Sequence, residues 1–169
     1  SIYPPGWLIT TIPFYLLGFG KFTLTLISYK LLGMVSFGVS SWLMLKIAGK
    51  KAWILWSFNP IVLIESLSSV HNEITMTTFI LLGFYLYQIS QTPQTQSSDR
   101  RTVLIKLLAF ISLIWGGLIK YTSFLIIPFL IKPTLAALAA WTGAIAFFII
   151  REINPWYILP AIALSFMSK

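Results

Sequence analysis

Long apolar runs separated by short polar stretches set the pattern of this chain. They extend roughly over Trp7–Gly20, Phe22–Ile47, Ala52–Leu67, Ile74–Ile89, Val103–Ile119, Tyr121–Ile131, Thr134–Ile150 and Pro155–Met167. Barrel strands would alternate apolar and polar positions, whereas these runs are unbroken, so the pattern predicts helices. Crossing a hydrocarbon core of roughly 30 Å takes about 20 apolar residues, and several runs fall short of that. Trp7–Gly20 holds Pro13 and two glycines, and Tyr121–Ile131 runs into Lys132-Pro133, so tilted, broken or re-entrant segments are expected there. The prediction is an all-α, polytopic transmembrane helical bundle of about seven to eight membrane segments. Residues 90–102, rich in Gln, Ser and Thr and without an apolar pattern, read as a cytoplasmic linker loop within one domain spanning 1–169. No internal repeat is visible, and with it goes the duplicated architecture common among transporters.

Composition agrees with the pattern. Of 169 residues, 57% are hydrophobic and 9% charged, and a mean hydropathy of +0.86 excludes a water-soluble domain. In a soluble protein the net charge of +8 would suggest nucleic acid. Here the basic residues stand at the ends of apolar runs, where they set orientation, and no nucleic-acid partner is expected. The chain has no cysteine, which excludes disulfides, thiolate metal sites and cysteine nucleophiles. No basic region followed by a short apolar stretch precedes Tyr3-Pro4-Pro5-Gly6, and the chain starts at Ser1, so it reads as the interior of a longer protein.

Counting basic residues on alternate sides puts Lys46, Lys50, Lys51, Arg100, Arg101, Lys106, Lys132 and Lys169 on one face and Lys21, Lys30, Lys120 and Arg151 on the other. By the positive-inside rule the first face is cytoplasmic. Ser68–Glu73, Lys120-Tyr121 and the stretch from Arg151 to Tyr157 then share the exoplasmic side. Three full crossings between Gly6 and His71 would leave Tyr3 on the opposite side. A re-entrant or surface helix over Trp7–Gly20 brings it back.

Candidate chemistry concentrates between Phe58 and Glu73, which includes the only histidine. Ionisable groups are costly in a lipid-like environment and mark a site by default. His71 and Glu73 offer a general base or proton relay, since a nearby carboxylate holds an imidazole's proton and fixes its tautomer. Lys120 and Arg151 suit a phosphate or pyrophosphate head group. The rings of Tyr3, Trp7, Tyr121, Trp156 and Tyr157 could floor a sugar or anchor a lipid, although interface belts use the same residues. Glu65 is expected to pair with a cation. Asn59-Pro60 reads as a kink within a helix, its freed carbonyl satisfied by a neighbouring side chain. A metal held by His71 and Glu73 lacks a third ligand nearby.

The succession Tyr3-Pro4-Pro5, Asn59-Pro60, His71-Asn72-Glu73, Lys120-Tyr121 and Asn154-Pro155-Trp156-Tyr157 resembles the middle and later part of the GT-C superfamily of integral-membrane glycosyltransferases. It is most similar to bacterial mannosyltransferase-like members that use polyprenyl-phosphate sugar donors. The resemblance implies an inverting transfer of a hexose, mannose in those members, to a glycan or glycolipid acceptor on the exoplasmic face of the bacterial plasma membrane. It further implies His71, Asn72 and Glu73 lining the site, Lys120 at the donor phosphate, and Trp156 and Tyr157 along the sugar or lipid groove. Tyr3, Tyr121 and Arg151 complete the substrate-binding set. The main catalytic acid of the superfamily would precede Ser1, and a chain without it would be inactive by itself. Some relatives use a divalent metal, but no cofactor is evident from these residues.

Two other readings stand beside this one. A transporter or channel would use His71 and Glu73 as a proton relay and Asn59-Pro60 as a gate, with charges near the bilayer midplane. The informative groups fall instead at segment ends, which favours surface chemistry. A non-catalytic membrane subunit is the third.

Overall fold

The computed structural model describes residues 4–69, 71–92, 99–129, 132–150 and 155–167. Every regular element among them is helical. The first helix, α1, covers Pro5–Leu16, with Pro4 extended before it and a proline in its first turn, where a missing N–H costs nothing. Phe19 and Gly20, both at positive φ, turn the chain into α2, Phe22–Ser57.

At 36 residues, α2 would reach about 54 Å if straight, far more than the roughly 30 Å core. Gly49 breaks it, with φ 83° and ψ −177°, a conformation open to glycine and strained for a side-chain-bearing residue. The break falls between the apolar runs Phe22–Ile47 and Ala52–Leu67, beside the exposed Lys50 and Lys51.

Asn59-Pro60 differs from the expected kink. α2 ends at Ser57, and Asn59 is extended, as the residue before a proline prefers. Its side chain accepts hydrogen bonds from the amides of Ile61 (2.9 Å) and Val62 (3.4 Å). The pair therefore ends one helix and caps the next, α3 at Pro60–Leu63, so Asn59 satisfies freed donors and not a freed carbonyl.

α3 widens at once into a π turn over Ile64–Ser68, closed by the Ser69 amide donating to Ile64 O at 3.0 Å. His71 is extended and leads into α4, Asn72–Ser90. The next helix, α5, spans Asp99–Ile119, so helix already occupies the last part of the 90–102 stretch read as linker. Tyr121–Leu125 and Ile127–Phe129 are short 3-10 turns, so that apolar run is broken, as its length suggested. α6 covers Pro133–Ile150, a 3-10 turn Pro155–Ile158, and α7 Leu159–Met167.

Two helices among the described residues, Phe22–Ser57 and Arg100–Ile119, are long and apolar enough to cross a membrane. That is fewer than the seven to eight segments expected from the apolar runs. Several runs are instead divided by Asn59-Pro60, the π turn and the 3-10 turns.

α4 is the central element. α5 packs antiparallel to it: a Cβ on Gly83 would lie 2.5 Å from the Leu113 side chain, Gly116 lies against Met76 and Ile80, and Ser112 donates to Phe79 O at 2.8 Å. α2 runs along α4 in the same direction, with Ser36 and Thr75 hydroxyls 3.0 Å apart, Thr78 donating to Ser36 O at 2.9 Å, and the Trp42 and Tyr85 rings edge-on at 5.5 Å. Small residues and inter-helix hydroxyls are how apolar helices associate where burial from water supplies no drive. Leu43, Met44, Trp56, Ile74, Leu81 and Phe84 form the core with Leu159 and Leu164 of α7. Trp56 is fully buried and donates from Nε1 to Ser40 at 3.2 Å. The outer surface carries large apolar side chains such as Leu16, Phe22, Leu104 and Ile149, as a lipid-facing exterior requires.

α1 lies against α5. A Cβ on Gly6 would fall 2.6 Å from the Leu118 carbonyl carbon, and Trp115 Nε1 donates to Thr10 at 3.0 Å. The start of α1 therefore meets the end of α5, at the same end of the bundle as the start of α4.

Candidate site at the shared end of α4 and α5

Glu73 sits in the first turn of α4, where helix geometry and dipole both favour a carboxylate. Its side chain is 1% exposed, and Oε1 accepts a hydrogen bond from Lys120 Nζ. Lys120 is the extended residue between α5 and the Tyr121–Leu125 turn, where the apolar helix stops and the backbone redirects. Its ammonium also lies 3.9 Å from the centroid of the Tyr157 ring, within cation–π range. Burial pulls the Lys120 pKa below the usual lysine value, while the charge of Glu73 and the hydrogen bond to it pull the other way. Three segments distant in sequence thus meet at one cation. The second oxygen, Glu73 Oε2, is buried without a hydrogen-bond partner.

His71 is half-buried at the head of α4, but its carboxylate neighbour is not the expected one. Nε2 lies 3.5 Å from Glu65 Oε2, while Glu73, two residues along the helix, is turned toward α5 and Lys120. The cause is the π turn. It carries Glu65, 5% exposed, under the imidazole, and the His71 amide donates to Glu65 O at 3.1 Å. Glu65 accordingly pairs with a cationisable group, as its cost of burial demands.

Lys30 of α2 closes the other side of this loop. Its ammonium donates to the carbonyls of Leu67 (3.4 Å) and Ser68, the open C-terminal end of the π turn, where a cation is favoured. Orientation counting places Lys30 on this face but assigns it no part in the site. No local motif marks it, because its partner carbonyls lie nearly forty residues away.

Of the remaining residues read as substrate-binding, Asn72 is half-buried in the first turn of α4. Tyr121 is exposed, its ring stacked on Phe124 at 6.5 Å. Tyr3 and Arg151 lie outside the described residues, as does the side chain of Trp156. Among the described residues no group of three or more His, Asp or Glu side chains is arranged to hold a metal ion.

The cluster therefore offers a cation able to meet a phosphate, a buried carboxylate bound to that cation, and an imidazole backed by a second carboxylate, all at one end of an apolar body. Neither a curated protein nor a solved structure matches the chain. A family model described as alpha-(1->6)-mannopyranosyltransferase, N-terminal domain, matches residues 1–140. The match takes in Lys30, Glu65, His71, Glu73 and Lys120 and ends before Tyr157.

Proposed function

Because the chain belongs to the alpha-(1->6)-mannopyranosyltransferase family, we propose that it transfers mannose from a polyprenyl-phosphate-linked donor to a glycan or glycolipid acceptor, at a site on the exoplasmic face of the bacterial plasma membrane. The observation that carries this reading is the meeting of Glu73, Lys120 and Tyr157. A lipid-linked donor brings a phosphate to the membrane surface and a sugar beyond it. Lys120 is placed to receive that phosphate, and the Tyr157 ring beside it to border the sugar.

In the transfer, the acceptor oxygen forms a bond to the anomeric carbon while the bond from that carbon to the donor phosphate breaks. The polyprenyl phosphate leaves with its negative charge, which Lys120 stabilises as it develops, and such electrostatic placement is often the largest catalytic term. The acceptor proton passes to His71 or to Glu73. Phosphate arriving at Lys120 competes with Glu73 for the ammonium, so donor binding itself frees the carboxylate. Inversion at the anomeric carbon follows from one displacement.

The test is transfer of radiolabelled mannose from polyprenyl-phosphate mannose by the full-length protein in proteoliposomes. Wild-type transfer together with loss in Glu73→Gln and Lys120→Met is expected; wild-type turnover in both variants would remove these residues from the reaction. Sidedness is tested separately with cysteines at Tyr3 and His71. Both should react with an impermeant thiol reagent from outside the cell, and labelling from opposite sides would refute the topology.

A further inference from the structure

The contact of Glu65 with His71 is not explained by packing. A carboxylate 5% exposed in an apolar bundle is costly unless it is paired, and the residue offered to it is an imidazole at 3.5 Å. That distance is within ion-pair range but long for a hydrogen bond. Glu65 Oε2 is buried without a hydrogen-bond partner, and the imidazole is the group offered to that same oxygen. The π turn brings the pair together. π turns are rare and recur where function needs a side chain displaced from helical register. Here the turn follows directly on the short helix that Asn59 caps at Ile61 and Val62 and is held at its tail by Lys30 on the Leu67 and Ser68 carbonyls.

We infer that Glu65 is a positioning residue for His71: its carboxylate keeps the imidazole proton on Nε2, makes Nδ1 the basic nitrogen, and stabilises the imidazolium formed when that nitrogen takes the acceptor proton. Which ring nitrogen is protonated follows from the partner of the other, and only Nε2 faces Glu65 in this arrangement. Glu73, whose Oε1 holds Lys120, is not the carboxylate paired with the imidazole. The site thus has two carboxylates with separate duties, one bound to the cation and one behind the imidazole. This inference rests on the transfer reading for its catalytic meaning, though not for the state of the imidazole.

The test combines a spectroscopic and a kinetic readout on the full-length protein in liposomes. With ¹⁵N-histidine labelling, the signal of His71 is isolated by difference from His71→Ala. In the wild type the neutral ring should be protonated mainly at Nε2. Glu65→Gln, whose amide oxygen still accepts, should keep the protonated Nε2 resonance near its wild-type position, while Glu65→Leu should move it upfield as the hydrogen bond to the carboxylate is lost. In transfer assays Glu65→Leu should lower kcat about tenfold with KM within about twofold. Glu65→Gln should fall between it and wild type, and Glu65→Asp should recover part of the rate. An unchanged Nε2 resonance in Glu65→Leu overturns the inference. If that variant does not fold, wild-type kcat in Glu65→Gln does so. An Nε2 resonance that shifts in a protein showing no mannose transfer defeats the transfer reading and leaves the Glu65–His71 coupling in place.

Discussion

Lys120 and Glu73 are joined across 47 positions of sequence by an ammonium–carboxylate hydrogen bond. The carboxylate side chain is 1% exposed and the lysine 18%. The pair ties the end of α5 to the start of α4 and brings the α7 side of the bundle to both through Tyr157. Its position gives Lys120 a part in the fold beside its proposed part in donor binding.

Removing either partner alone strands the other's charge. Lys120→Met and Glu73→Gln should each cost about 3–5 kcal/mol, read by thermal unfolding in detergent. The double variant should lose much less than the sum. Strictly additive losses would show that the two side chains are not coupled.

The lowered Lys120 pKa fixes the direction of one pH effect. Deprotonation removes the cation proposed to meet the donor phosphate, so transfer should decline on the alkaline side before pH reaches the ordinary lysine value of 10.5. Arginine keeps its charge there. Lys120→Arg should therefore move the alkaline limb of the pH–rate profile upward even if its peak rate is lower. An unmoved limb would assign the decline to another group.

Lys30→Met should loosen the π turn without unfolding the bundle. Hydrogen exchange over residues 64–71 should speed up severalfold, with the melting temperature lowered only slightly. Lys30→Arg should restore protection, because its guanidinium can still donate to the Leu67 and Ser68 carbonyls. Equal exchange in all three proteins would count against the clamp.

Gly6→Ala should be disproportionately harmful for one added methyl. The new Cβ meets the backbone of Leu118 and Ile119 at 2.6–2.8 Å, and rigid backbone cannot yield, so about 1–3 kcal/mol is expected. Gly38→Ala, with nothing within 4 Å of its Cβ, is the control and should be neutral or slightly stabilising. Similar melting shifts in the two would contradict the close approach of α1 to α5.

The helical class was legible because unbroken apolar runs leave lipid-embedded backbone few alternatives to helix. The meeting of the α4 start, Lys120 and Tyr157 was legible as well, since costly polar groups collect at run ends and the alternation of basic residues places those ends together. The partner of His71 was not. Adjacency favoured Glu73, while the π turn, formed without a local sequence signature, substitutes Glu65. The break at Gly49 could be located between two apolar runs, with helix expected on both sides of it, but that Lys50 and Lys51 already belong to the resumed helix was not visible from periodicity, because α2 shows almost no segregation of apolar and polar faces. Lys30 escaped for a simpler reason: a side chain bonded to distant carbonyls leaves no mark in its own neighbourhood.

Asn59 and Lys30 fasten the short stretch from Pro60 to Ser68 at both extremities, the first by filling empty donors and the second by covering empty acceptors. An over-wide turn of so few residues would unravel if left to its own bonds. Anchored in this manner it is held as a small bracket between the helices, by two side chains that need take no part in any reaction.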